Sequence, residues 1–77
     1  MYNVLIVEDH DRLRDQLGKF YEQEGFRVTT ASSGEEGVEK LAQEKFSIVV
    51  SDVQMPGLDG FQLARHVREK YPETDVI

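Results

Sequence analysis

The sequence has no cysteine and no tryptophan, only two prolines, and nine Lys+Arg against fifteen Asp+Glu. Without cysteine there are no disulfides, no thiolate zinc sites and no cysteine nucleophile. A net charge of −6 leaves no basic face of the kind that grips a nucleic-acid backbone, so no direct nucleic-acid contact is expected of this segment. No apolar run approaches the ~20 residues of a membrane-spanning helix, so no membrane contact is expected. Met1 leads into a strand-like run without a signal-peptide pattern, and the expected setting is cytoplasmic. Repeats, linkers and low-complexity segments are also missing. At 77 residues there is room for one domain at most, and a chain this short buries only about 60–65% of its unfolded surface.

What is present alternates between two periodicities. Val4-Leu5-Ile6-Val7 is a continuous, β-branched apolar run, the pattern of a strand buried on both faces. From Asp11 the period becomes helical, with Leu13, Leu17, Phe20 and Tyr21 on one stripe, and Gly25 is placed to stop the helix. Arg27 to Ala31 alternates as an edge strand does. Ser33 followed by Glu36 is a capping box for a second helix, whose apolar face is Val38, Leu41 and Ala42. Phe46 to Ser51 is a third strand, central in character. Asp59 caps a third helix carrying Phe61, Leu63, Ala64, Val67, Arg68 and Tyr71, and Pro72 ends it. Thr74 to Ile77 reads as the start of a fourth strand. The order β-α-β-α-β-α-β predicts an α/β, doubly wound parallel sheet with right-handed crossovers.

In open sheets of this kind ligands sit outside the carboxyl ends of the strands. Strand one ends in Glu8-Asp9 and strand three in Asp52. If those strands are neighbours, three carboxylates converge, and their mutual repulsion calls for a cation. Carboxylates, carbonyls and water suit Mg²⁺, with Mn²⁺ as a substitute, and a metal-neutralised carboxylate is a competent nucleophile toward phosphorus. The bland alternative is that loops at strand ends are simply polar. His10 reads as an exposed loop residue, since no second histidine stands at ligand spacing, and His66 as a surface residue on the charged side of the third helix. Asp9-x-Asp11 fails as a calcium loop because Leu13 and Arg14 stand where oxygen ligands and a glycine are needed. No G-x-x-x-x-G-K phosphate loop is present.

Val4-Leu5-Ile6-Val7-Glu8-Asp9 and Ser51-Asp52-Val53-Gln54-Met55-Pro56-Gly57-Leu58-Asp59-Gly60 resemble the signature of two-component response-regulator receiver domains, from Met1 to Ile77. The second motif is the more specific. The resemblance implies a flavodoxin-like fold with strand order 2-1-3-4-5. It implies that Asp52 takes a phosphoryl group from the phosphohistidine of a histidine kinase or phosphotransfer protein. It further implies that Asp9 binds Mg²⁺ directly together with Asp52 and the Gln54 backbone carbonyl, and that Glu8 reaches the metal through water. Pro56, Gly57, Asp59 and Gly60 shape the loop and cap the helix after the acceptor. Such a module is a signalling phosphoacceptor rather than an enzyme.

The family's switch Ser/Thr follows strand four and its phosphate-binding Lys follows strand five, so neither has a counterpart among residues 1–77. The expectation is therefore an N-terminal portion of a receiver domain, lacking the rest of strand four, helix four, strand five and helix five, and lacking the switch. Strand three would then present an open edge at Ile48 and Val50, through which the chain could self-associate. Two other functions stay open: an interaction or oligomerisation fragment working through that edge, and, more distantly, a metal-dependent phosphohydrolase.

Overall fold

The structure, a computed structural model, describes residues 2–77; the opening of the chain at Met1 lies outside the described residues. The elements are β1 (Asn3–Val7), α1 (Asp11–Gln23), β2 (Arg27–Ala31), α2 (Gly34–Gln43), β3 (Ile48–Ser51), α3 (Gly60–Lys70) and β4 (Asp75–Val76). All strand pairs are parallel, in the order β2-β1-β3-β4. The expected doubly wound sheet is thus present, with β1 and β3 side by side at its centre.

Register follows from the apolar pattern. Val4 pairs with Val28 on one side and Ile48 on the other, and Val7 pairs with Ala31 and Ser51. Leu5, Val7 and Val49 point to one face, where they join Leu41 of α2, Leu63 and Val67 of α3, and Met55 from the loop between β3 and α3. Val4 and Ile6 are equally inaccessible and by alternation lie on the opposite face, under α1. There α1 sits close because it offers Gly18: a Cβ built at that position would lie 3.8 Å from both a Val28 and a Thr30 methyl carbon. Each fully buried Leu or Val contributes about 1.5–3 kcal/mol of transfer free energy.

The helix ends are locally encoded. At the end of α1, Gly25 takes φ +94°, the Phe26 N–H donates to Tyr21 O and the Gly25 N–H to Glu22 O, which is the Schellman pattern. The Phe26 ring then packs edge-on against Tyr21, with centroids 5.6 Å apart. Ser33 caps α2 by accepting from the Glu36 N–H. The Glu36 carboxylate does not close the expected box on Ser33; it accepts from the N–H and hydroxyl of Ser32 instead. Asp59 and Gln62 do form a reciprocal box at the start of α3.

Several sequence expectations require correction. Leu13 and Phe20 are 42% and 56% exposed, so the buried face of α1 is centred on Gly18, with Leu17 and Tyr21 half-buried beside it. Phe61 is 70% exposed, because it lies in the first turn of α3, which overhangs the loop rather than the sheet. Ala42 is also exposed. The open edge expected on β3 is covered. The Asp75 N–H donates to Ser47 O, the Ile77 N–H to Val49 O and the Ser51 N–H to Ile77 O, while the buried Thr74 hydroxyl donates to Phe46 O at 2.8 Å. On this side the outermost strand among the described residues is β4. Self-association through Ile48 and Val50 loses its structural premise.

Candidate metal centre

Because Val7 pairs with Ser51, the next residue of each strand, Glu8 and Asp52, emerges at the same level. The Asp52 N–H still donates to Val7 O, so the two chain segments stay in register one step beyond the ladder. One ligand atom from each of Glu8, Asp9, His10 and Asp52 lies within 4.8 Å of the others. Glu8, Asp9 and Asp52 were expected to meet here, and they do. His10 was not expected as a member.

Glu8 is almost inaccessible, at 2% exposure, and a buried carboxylate must be partnered. Its Oε2 accepts from the His10 backbone N–H at 3.0 Å and lies 3.1 Å from His10 Nδ1. Its main chain is anchored on both sides: the N–H donates to Ala31 O, and the carbonyl accepts from Arg14 Nη1 at 2.9 Å. Arg14 also pairs with Asp11 at 2.6 Å, so the first turn of α1 holds the acid pair from behind. The carboxylates of Glu8 and Asp9 raise His10 above its ordinary value of 6.5, the Glu8 hydrogen bond being the largest cause.

Among the described residues, Asp9 Oδ1 is the buried side-chain oxygen left without a hydrogen-bond partner. Two carboxylates 4 Å apart repel by about 4 kcal/mol at an effective dielectric near 20. A cation placed there would complete the valence of that oxygen and offset the repulsion. The donor set of carboxylates beside an exposed loop fits a hard divalent ion that keeps several waters.

The loop after Asp52 is held as firmly as the acids. Met55 is buried and joins the core, which pins the loop one residue beyond Gln54; Gln54 itself is exposed. Gly57 takes φ +74°, and the Glu35 carboxylate of α2 lies against it, accepting from the Leu58 N–H at 3.0 Å. Gly34 touches the Leu58 carbonyl so closely that a side chain would collide with it. Gly60 is pressed against the Asp52 carbonyl in the same way, and its N–H donates to Val53 O. Gly57 thus supplies the positive φ of this loop, Asp59 the cap of α3 and Gly60 the close approach to the Asp52 carbonyl. Glu35 and Arg14 went unnoticed in the sequence. Glu35 acts across 23 positions, and the only sequence trace of Arg14 is its spacing from Asp11.

A parallel α/β sheet with carboxylates at the ends of its two central strands defines a switch-point binding domain. Comparison with known proteins makes the assignment specific: the family model for the response regulator receiver domain matches residues 4–77, and the chain belongs to that family. It is 40% identical over 68 residues to the transcriptional regulatory protein AfsQ1 of Streptomyces coelicolor, covering 88% of this chain and 30% of that protein. It is 35% identical over 77 residues to the response regulator receiver protein CpdR of Brucella abortus, covering all of this chain and 64% of CpdR. The response regulator TrrA of Thermotoga maritima, solved in complex with Mg²⁺-BeF, superposes with a TM-score of 0.94 at 30% identity, over 99% of this chain and 66% of that one. TrrA has also been solved in complex with the histidine kinase ThkA. The chain thus spans between about a third and two thirds of the length of these relatives. It is a receiver-domain segment of two-component signalling, and among the described residues no helix is long and apolar enough to cross a membrane.

Proposed function

We propose that Asp52 is the phosphoacceptor of this receiver, charged from the phosphohistidine of a histidine kinase or phosphotransfer protein in the cytoplasm. Mg²⁺ would be held by Asp9, Asp52 and the Gln54 carbonyl, with Glu8 reaching it through water; Mn²⁺ is an alternative ion. The observation that carries this reading is the convergence of Glu8, Asp9 and Asp52 around an unpartnered Asp9 oxygen. When bound, the ion supplies charge neutralisation for the carboxylates and the incoming phosphoryl oxygens.

The protein's own residues set the geometry. Asp52 sits at the strand end, partly exposed, so a carboxylate oxygen is presented to a donor docking from outside. That oxygen forms the bond to phosphorus as the phosphorus–nitrogen bond breaks, and the imidazole leaves with the electron pair. Gly60 and the Met55 anchor keep the acceptor's backbone from yielding. Positioning of this kind is most of what phosphoryl transfer needs from a protein. No separate substrate is turned over, so the module acts as a phosphoacceptor rather than as an enzyme. In the whole protein this segment would contribute the metal and acceptor part of the switch.

The test is exposure of the chain to a small-molecule phosphodonor such as phosphoramidate, with and without Mg²⁺, read by intact mass. One phosphoryl group is expected, dependent on Mg²⁺ and absent in Asp52→Asn. Uptake that persists in Asp52→Asn refutes the assignment.

A further inference from the structure

We infer that His10 is a nitrogen ligand of the Glu8–Asp9–Asp52 centre and tilts its preference from Mg²⁺ toward borderline divalent ions such as Mn²⁺, Co²⁺ and Zn²⁺. The inference rests on the metal-binding reading above and concerns which ion that centre prefers.

The edge of the imidazole that faces the acids is the one bearing Nδ1, 3.1 Å from Glu8 Oε2 and 3.4 Å from Asp9 Oδ1. The second of these oxygens is the one left without a hydrogen-bond partner. The main chain that carries the ring is held in place. The His10 N–H is tied to Glu8 Oε2, and the residue is extended, at φ −81° and ψ 116°, directly before α1. Its carbonyl accepts from the Arg14 N–H as the first bond of that helix, so the main chain on both sides of the ring is fixed. The two carboxylates are the ring's only polar partners among the described residues. The rest of it, 75% exposed, is free to turn with the incoming ion. Nδ1 and one oxygen from each acid span no more than 4.8 Å, the compass of a single coordination shell.

A nitrogen changes what such a shell selects. Oxygen-only shells suit Mg²⁺, whereas imidazole favours Mn²⁺, Co²⁺ and, more strongly, Zn²⁺ along the order of intrinsic affinities. Ligation at Nδ1 requires the ring proton on Nε2, which faces water and needs no protein acceptor. The present contact with Glu8 has Nδ1 donating, so to hold an ion His10 would give that proton to solvent and carry its remaining one on Nε2, while Glu8 would keep the His10 backbone N–H.

The experiment compares the wild-type chain with His10→Ala and His10→Asn, the second retaining a side-chain hydrogen-bonding group without an imidazole. Mg²⁺ and Zn²⁺ are titrated separately at fixed pH, followed through the amide signals of Glu8 to Asp11 and Asp52 so that ions bound elsewhere do not count. The ratio of Zn²⁺ to Mg²⁺ affinity should fall about tenfold or more in both variants, and paramagnetic Co²⁺ should displace the His10 ring signals of the wild type. An unchanged ratio overturns the inference, as does an equal gain in affinity for both ions in the variants, which would make His10 a competitor for the acids. Failure of every ion to perturb Asp9 and Asp52 in the wild type overturns the metal-binding reading and this inference together. Mg²⁺ binding with an unchanged ratio overturns this inference alone.

Discussion

Replacing Gly60 by alanine should destabilise the fold and loosen the acceptor, against the ordinary effect of that substitution in a helix. Glycine to alanine within a helix normally gains up to about 1 kcal/mol. At Gly60 a Cβ would strike the Asp52 carbonyl and lie 2.9 Å from the Val53 Cα. Both are backbone atoms of the acceptor turn, which cannot swing aside as the end of a side chain can. Relief requires α3 to withdraw or the turn to shift, a cost of about 1–3 kcal/mol for overpacking of this type. Gly18 is the internal control. It too is helical, but its Cβ would meet Val28 and Thr30 methyl carbons at 3.8 Å, ordinary contact. Gly18→Ala should therefore stabilise by about 1–2 kcal/mol, from propensity plus one buried methyl. In a domain of this size 1 kcal/mol moves the melting midpoint by about 4–8 °C. Thermal melts should thus separate the two variants by at least about 8 °C, in opposite directions from the wild type. Mg²⁺ affinity, measured by amide shifts, should fall in Gly60→Ala and hold in Gly18→Ala. A Gly60→Ala protein that melts at or above the wild type would show that the turn is soft, and the account of how Asp52 is positioned would be wrong.

Other perturbations test other parts of the frame. Asp59→Ala removes the side-chain acceptor that caps the Gln62 N–H at the start of α3 and should cost about 1 kcal/mol in urea denaturation; no loss would mean that solvent caps the helix equally well. Arg14→Ala frees the Glu8 carbonyl and should cost about 1–2 kcal/mol while weakening Mg²⁺ binding; unaltered binding would reduce Arg14 to a surface ion pair with Asp11. Glu36 is held below its ordinary value of 4.5 by the Ser32 N–H and hydroxyl that donate to its carboxylate. Its contribution is therefore complete above pH 4.5 and is lost as pH falls through the lowered folded-state value. The difference in melting temperature between wild type and Glu36→Gln should be present at neutral pH and close in acid, and a gap independent of pH would contradict the assignment.

The strands and the three acids were legible because each rests on a local signal, and the strand order was implied by the family resemblance. A β-branched run marks β1 with little ambiguity, Gly25 and Asp59 mark helix limits, and a parallel alternation leaves few topologies for β1 and β3. What was not legible depended on tertiary fit. Periodicity found the apolar stripe of α1 but could not choose its centre, because the closest approach to the sheet is made by a glycine, which carries no hydrophobic signal. Phe61 continues the pattern of α3 yet lies beyond the sheet it would have to cover. His10 was set aside for want of a second histidine, a rule that fits zinc sites. The groups it meets in space are carboxylates, Glu8 and Asp9 beside it in sequence and Asp52 from the end of β3. Glu35 meets Leu58 only because α2 and the acceptor loop are stacked, a juxtaposition that neither segment announces alone.

The pairing of Val7 with Ser51 also sets the order of events in time. Glu8 and Asp52 become neighbours only after the chain has closed the long loop through α1, β2 and α2, and parallel pairing across such a loop is among the slower steps of folding. A slip of one residue would turn each side chain of the strand to the other face and part the acids. A site that joins Glu8 and Asp9 to Asp52 is therefore assembled only with the native register. An ion that binds only the finished register leaves the rate of folding untouched and appears wholly as a slower rate of unfolding.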